Sequence, residues 1–269
     1  MRSWLDWVES QVEVTGEIEE RHVRPWSTVL FVPTAGGPLW FKESRNGFAY
    51  EAALLQVIHP LAPDLVTDVV ALEPEAGWVL MRDAGVRARE RPLDWGEVLE
   101  RYAHLQLATA PLVDELLAIG VFDLRWPALL RRFDDLVDTI GAETGARLSA
   151  RLPEIVERLS FIESSPLGVT LDHGDLHDGN VFSRDGHARI LDWGDANVAH
   201  PFNSLAVETD PSARARYVAQ FGASASVEAE IFAEHQVFLR CVEELRAVPL
   251  QPDWAETIDR LVAGFLDRY

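Results

Sequence analysis

Apolar and polar positions alternate with a period near two over the first third of the chain. Stretches such as Glu17–His22, Thr28–Val32, Pro38–Glu43 and Gly77–Leu80 are separated by turn residues at Pro33, Gly36-Gly37 and Pro38. This pattern predicts a small antiparallel sheet over residues 12–82. One segment breaks the alternation: Glu51, Ala52, Leu54, Leu55, Val57 and Ile58 follow a helical period, which predicts a helix over about 48–58 packed on that sheet. From Asp94 onward the period is helical. Val98, Tyr102 and Leu105 share one face, and Leu129, Phe133, Leu136 and Ile140 share another. Pro127 suits a helix start, where its missing N–H is harmless. Further helices are expected at about 211–220, 226–246 and 254–267, with Ser226 as a candidate cap for the second.

Strands interrupt this helical region. Val169-Thr170-Leu171 reads as one, and Val181-Phe182 and Ile190-Leu191 flank Asp185-Gly186, a strong hairpin-turn dipeptide. The expected fold class is α+β and bilobal. Residues 1–83 would form an antiparallel-sheet lobe with one helix, and 84–269 a mainly helical lobe carrying a β-hairpin. An Arg- and Gly-containing linker near Asp83–Asp94 would join them, with the ligand cleft between.

Composition narrows the functional classes. At 48% hydrophobic residues over 269 positions, the chain can bury one or two cores. The single cysteine, Cys241, excludes an internal disulfide framework and fits a reducing compartment. No apolar run approaches the ~18 residues of a membrane span, and Met1–Trp7 is acidic and amphipathic, without the basic start of a signal peptide. A cytoplasmic location is therefore expected. The net charge of −20 argues against a nucleic-acid partner, whose phosphates need a basic face, and concentrates cationic small molecules.

The chemistry is concentrated in His173-Gly174-Asp175-Leu176-His177-Asp178-Gly179-Asn180 and in Leu191-Asp192-Trp193-Gly194-Asp195. An aspartate with an asparagine five residues on matches the spacing of a phosphoryl-transfer loop, where the first accepts a hydroxyl proton and the second holds magnesium. The hairpin would carry Asn180 on its first strand and Asp192 just after its second, bringing together two hard oxygen ligands of the kind magnesium prefers. Of the 24 basic residues only Lys42 is a lysine, so it marks a position where a guanidinium does not serve. It lies in the strand-like Pro38–Glu43, and a compact ammonium there suits the α- and β-phosphates of a nucleotide. Glu51, opening the next helix, suits the carboxylate that orients it.

These residues resemble the aminoglycoside phosphotransferase and choline kinase branch of the protein-kinase-like enzymes. That branch carries His-Gly-Asp-x-His-x-x-Asn followed by an Asp-Trp segment, both intact here, and the likeness runs from about Val14 to Ala206. The resemblance implies a protein-kinase-like fold, with Asp175 as catalytic base and Asn180 and Asp192 as magnesium ligands. It makes Lys42 the phosphate clamp and Glu51 its partner, His173 and His177 loop supports, and Met81-Arg82-Asp83 the hinge that receives the base of ATP or GTP.

Two departures stand out. No Gly-x-Gly-x-x-Gly loop is present; the corresponding turn falls in Val23-Arg24-Pro25-Trp26-Ser27, where Ser27 is a candidate phosphate contact. Beyond Asp195, the Gly-Asp-Pro-x-x-Asp-Leu-Ala of many relatives becomes Ala199-His200-Pro201-Phe202-Asn203-Ser204-Leu205-Ala206, with both acids replaced. The expected activity is phosphoryl transfer from ATP or GTP, with magnesium, to a hydroxylated small molecule. An aminoglycoside or other antibiotic is one such acceptor. A housekeeping kinase of the choline, homoserine or sugar type shares every motif. Two other classes remain: a metal-dependent hydrolase using His173, Asp175, His177 and Asp192, and a non-catalytic nucleotide-binding regulator.

Overall fold

The chain begins with a helix that the alternating pattern does not announce. In a computed structural model, which describes residues 3–206, 210–222 and 225–268, α1 spans Trp4–Gln11. Its start is a capping box: Ser3 Oγ accepts from Asp6 N, and Asp6 Oδ2 accepts from Ser3 N. Strands β1 (Glu19–Arg24), β2 (Ser27–Val32) and β3 (Leu39–Ser44) follow, then α2 (Glu51–Ile58), β4 (Val69–Glu73) and β5 (Trp78–Arg82). They form one antiparallel sheet in the order β1-β2-β3-β5-β4. Neighbouring residues of a strand face opposite sides. Phe41 therefore turns to one face, against Trp4, Trp7 and Trp78, while Lys42 turns to the other, against Glu51 of α2. The sheet thus carries a helix on each face, where the sequence suggested one helix alone.

The segment expected as a linker contains a strand, β6 (Val86–Arg87). After it come α3 (Trp95–Thr109), α4 (Val113–Ala118), β7 (Phe122–Asp123), α5 (Trp126–Thr139), α6 (Ala142–Leu159) and β8 (Thr170–Asp172). The hairpin is β9 (Val181–Arg184) and β10 (His187–Ile190), and β11 (Asn197–Ala199), α7 (Pro211–Ala219), α8 (Ala225–Glu244) and α9 (Trp254–Leu266) complete the chain. α8 starts at Ala225, so Ser226 lies inside its first turn rather than capping it.

The backbone divides into two compact units. One comprises Met1–Asp94, Ala118–Val121 and Asp175–Ala196; the other comprises Trp95–Leu117, Phe122–Gly174 and Asn197–Tyr269. The hairpin, which sequence reading gave to the helical lobe, groups with the first unit because β9 is the middle strand of a three-stranded sheet, β10-β9-β6. Gly85, at φ +90, permits this pairing, since a Cβ there would stand 2.2 Å from Ser183 O. In the second unit β7, β11 and β8 form a small sheet, and the helices enclose an aromatic core in which Phe133 and Phe238 lie 4.8 Å apart and Phe238 and Phe265 5.7 Å apart. No described helix is long and apolar enough to cross a membrane.

Candidate active site

A two-residue turn sets the hairpin register. Asp185 (φ 53) and Gly186 (φ 82) both take positive φ, as a tight turn between right-twisted strands requires. Arg184 and His187 pair across it, Val181 and Ile190 close the ladder, and the Leu191 N–H donates to Asn180 O at 2.9 Å. Asn180 and Asp192 therefore flank the open end of one hairpin, Asn180 just before its first strand.

Between β8 and the hairpin, the Asp175 loop is tied to itself. Asn180 Nδ2 donates to Asp175 O at 2.9 Å and to Asp175 Oδ2 at 3.0 Å. His177 Nε2 lies 3.4 Å from the same carboxylate oxygen, while its Nδ1 accepts from Gly179 N at 2.8 Å. With Nδ1 accepting, Nε2 carries the proton that faces Asp175. The hydrogen bond to Asp175 raises the His177 pKa above the usual histidine value, against the opposing effects of burial and Arg89. Asn180 spends its amide nitrogen on Asp175, so its carbonyl oxygen is the atom left for a cation, and Asp192 adds a carboxylate that is 51% exposed. Two hard oxygens on adjacent chain segments fit magnesium, which takes few protein ligands. Among the described residues, no three His, Cys, Asp or Glu side chains are grouped to hold a metal.

Lys42 is the centre of the ionic arrangement. It is buried on β3, with Nζ 2.9 Å from Glu51 Oε1, 2.7 Å from Glu51 Oε2 and 2.5 Å from Asp192 Oδ1. Burial alone would lower its pKa, but Asp192 and Glu51 together hold the ammonium above the ordinary lysine value. Glu51 is itself 2% exposed, and its other donors are the Ser44 hydroxyl at 2.6 Å and the Trp193 amide at 3.0 Å. One carboxylate thereby links β3, α2 and the segment after the hairpin.

The remaining sequence candidates fall into different surroundings. Ser27 opens β2, is buried, and pairs in register with Ser44. The turn before it is Pro25-Trp26, pinned by Arg45 N donating to Trp26 O at 2.8 Å and Asn46 Nδ2 to Pro25 O at 3.3 Å. Met81 is buried near the end of β5, while Arg82 is exposed and its amide donates to Asp68 O at 2.9 Å. Asp83 accepts from Trp40 Nε1 and Gly85 N, each at 2.9 Å, and its carbonyl accepts from Arg184 at 3.1 Å. All of these candidates, with Asp175, Asn180, Asp192, Lys42 and Glu51, belong to the first unit.

Sequence reasoning missed three supports. Asp192 takes a left-handed φ of 64, a conformation uncommon for a residue with a side chain. Trp193, fully buried, holds it from one side by donating Nε1 to Ile190 O at 3.0 Å. Tyr50 holds the next turn, its hydroxyl lying 2.7 Å from Gly194 O and 2.6 Å from Ala196 O. Ser44 steadies Glu51. The available signals were slight: Ser44 is two positions from Lys42 on the same strand face, and Tyr50 adjoins Glu51. Away from these, His200 sits in the second unit among Phe161, Phe202 and Phe232. Burial lowers its pKa despite Glu228. Its Nδ1 accepts from Phe202 N, so Nε2 donates to Glu228 Oε2 at 2.9 Å, an anchoring contact. The Ser204 side chain lies outside the described residues.

No protein-family model matches this sequence, and no curated protein is similar to it in sequence. Solved structures are similar in fold. Wild-type aminoglycoside 2'-phosphotransferase-IIIa, in its GDP complex, superposes with a TM-score of 0.67 at 14% identity, covering 99% of this chain and 99% of that one. An ADP-bound aminoglycoside phosphotransferase, APH(2'')-Ib, gives 0.64 at 12% identity over 97% and 95% of the two chains. The choline kinase LicA from Streptococcus pneumoniae gives 0.63 at 14% identity over 98% and 97%. The chain shares their fold over almost its whole length.

Proposed function

We propose that this chain is a small-molecule O-phosphotransferase, moving the γ-phosphoryl group of ATP or GTP to a hydroxyl of its acceptor. The observation that carries this is the buried Lys42, held by Glu51 and reaching Asp192, in the same compact unit as the Asp175–Asn180 pair. The chain has the fold of aminoglycoside and choline phosphotransferases, and a buried ammonium flanked by two carboxylates fits the charge placement that phosphoryl transfer uses.

Each residue then has a role. Asp175 accepts the proton of the attacking hydroxyl, and Asn180 and His177 orient it by meeting its Oδ2. Lys42 presents a point charge to the α- and β-phosphates, and Glu51 holds that charge in place. Asn180 Oδ1 and the Asp192 carboxylate would hold magnesium, which supplies neutralisation of phosphate charge when bound. Met81–Asp83 borders the base of the nucleotide and Ser27 the phosphates. Because the reaction needs little covalent help, positioning and charge do most of the work. The net charge of −20 favours an acceptor that carries amines.

The test is a coupled assay of ADP and GDP release over aminoglycosides, other hydroxylated antibiotics, sugars, amino alcohols and nucleosides. Magnesium-dependent release stimulated by one acceptor class supports the proposal. Tight nucleotide binding with no acceptor-stimulated release would leave a regulator, and zinc-dependent hydrolysis without nucleotide would leave a hydrolase.

A further inference from the structure

In the second unit, the chain that leads into Asp175 rests on a buried polar network that phosphoryl transfer does not itself use. β8 ends in Asp172, which is fully buried. Its Oδ1 accepts from the Tyr102 hydroxyl at 3.1 Å, and that hydroxyl accepts from His173 N at 2.7 Å. Its Oδ2 accepts from Gly174 N at 3.1 Å, and Arg240 donates to Gly174 O. Gly174 has a φ of 76, where a side chain would add strain. The backbone entering Asp175 is thus held at His173 N, Gly174 N and Gly174 O.

Behind this layer lies a second acid. Asn197 and Asn203 each address two carboxyl groups: Asp172 Oδ2, at 3.5 and 3.4 Å, and Glu243 Oε1, at 3.3 Å for Asn197 and closer still for Asn203. Glu243 is buried on α8, and Asn197 Oδ1 is buried with no hydrogen-bond partner among the described residues. Ionised, Asp172 and Glu243 could only accept, as Asn197 Oδ1 does, and the Arg240 guanidinium, 3.8 Å from Glu243 Oε2, is also engaged by Gly174 O and Glu244. Two carboxylates bridged by the same two amides also repel in an apolar interior. One proton relieves the repulsion and supplies a donor. Beyond the two asparagines, which serve both acids, Asp172 accepts from the Tyr102 hydroxyl and the Gly174 amide, which suits it to the charge and leaves the proton to Glu243.

We propose that neutral Glu243 is a positioning residue for Asp175, tying Asn197 and Asn203 against Asp172 and so fixing the backbone of His173 and Gly174. The proposal rests on the assignment of Asp175 as the catalytic base. Burial pushes the Glu243 carboxyl up to about 8, Arg240 and Arg246 pulling it down and Asp172 and Glu244 pushing it up. Tyr217, whose hydroxyl is raised well above its ordinary value by burial and then by Asp172, stays neutral throughout this range. Ionisation of Glu243 removes the extra donor and loosens the loop stem.

The test compares the wild type with Glu243→Gln, which keeps the shape and a donor but cannot ionise. Two quantities are followed from about pH 6 to about pH 9.5: kcat, and amide hydrogen exchange at His173 and Gly174. In the wild type, kcat should fall roughly tenfold or more as pH rises through the Glu243 value, with KM for nucleotide little changed. The Gln variant should match the wild type near neutrality and lack this fall. Its two amides should stay protected at alkaline pH, where those of the wild type open. A Gln variant that keeps the wild-type alkaline limb overturns the proposal, as does equal exchange in both proteins at high pH. If the exchange difference appears while neither protein transfers phosphate, the network stands and the assignment of Asp175 as base falls. Circular dichroism at neutral pH establishes that the variant is folded.

Discussion

Lys42 is the only lysine in the chain, so its reactivity can be read without interference from other side-chain amines. A lysine-directed ATP acyl-phosphate should label Lys42 strongly, and excess ATP should block the labelling, which mass spectrometry of the peptides would reveal. Lys42→Arg should bind nucleotide less well, because a planar fork cannot replace a compact ammonium between Glu51 and Asp192. Unprotected labelling together with a normal arginine variant would remove Lys42 from the site. Asp175→Asn should lower kcat by roughly 100-fold or more while nucleotide affinity holds. The same substitution should bring the His177 pKa down toward its ordinary value, since the hydrogen bond to Asp175 is the largest cause of its rise. A histidine pKa raised by a partner contributes stability that is present below the unfolded value of 6.5 and lost as pH rises through the folded value. NMR titration of the imidazole, in wild type and variant, checks the shift directly.

At the scale of elements, the site depends on a hairpin anchored by a two-residue strand. β6 reaches β9 only because Gly85 has no side chain: its φ is +90 and an added Cβ would meet Ser183 O at 2.2 Å. Gly85→Ala should therefore destabilise the protein by more than about 1 kcal/mol, measured by urea unfolding. Its effect should extend to magnesium-dependent turnover, because β9 and β10 carry the chain segments of Asn180 and Asp192. Gly186→Ala offers a comparison within the same hairpin, where φ is +82 but no atom stands within 4 Å of an added Cβ. The second change should cost less, and a larger effect there would mean that β6 pairing matters little.

For the whole molecule, ligand linkage is the broadest measurable property. A ligand that binds only the folded chain stabilises it by about 2.7 kcal/mol at a hundredfold excess over its Kd. Nucleotide with magnesium should thus raise Tm more than nucleotide alone. Asp192→Ala should abolish the magnesium increment, because it leaves Asn180 as the one remaining proposed ligand. An undiminished increment in that variant, followed by differential scanning fluorimetry, would take Asp192 out of the metal site.

Much of the proposed site was legible because its signals are local. The Asp175 to Asn180 spacing, the Asp185-Gly186 turn and the strand around Lys42 depend on backbone periodicity and on residues within a few positions of one another. The change from period two to a helical period likewise marked the sheet and the helices after Asp94. What lay beyond reach depended on long-range packing. Lys42 meets Asp192 across 150 positions and Glu51 meets Trp193 across 142, distances over which no pattern in the sequence specifies a partner. The burial of Ser27, the support from Tyr50 and Trp193, and the grouping of the hairpin with the first unit are of the same kind. Helix α1 was not among the expected elements, and its Ser3 to Asp6 capping box is a finding of the structure. The sequence by itself determined which groups could do the chemistry and the local elements that carry them. Tertiary structure decided that Asp192 joins Lys42 and Glu51 in one charged cluster, because desolvation and ion pairing act only once the chain has closed around them.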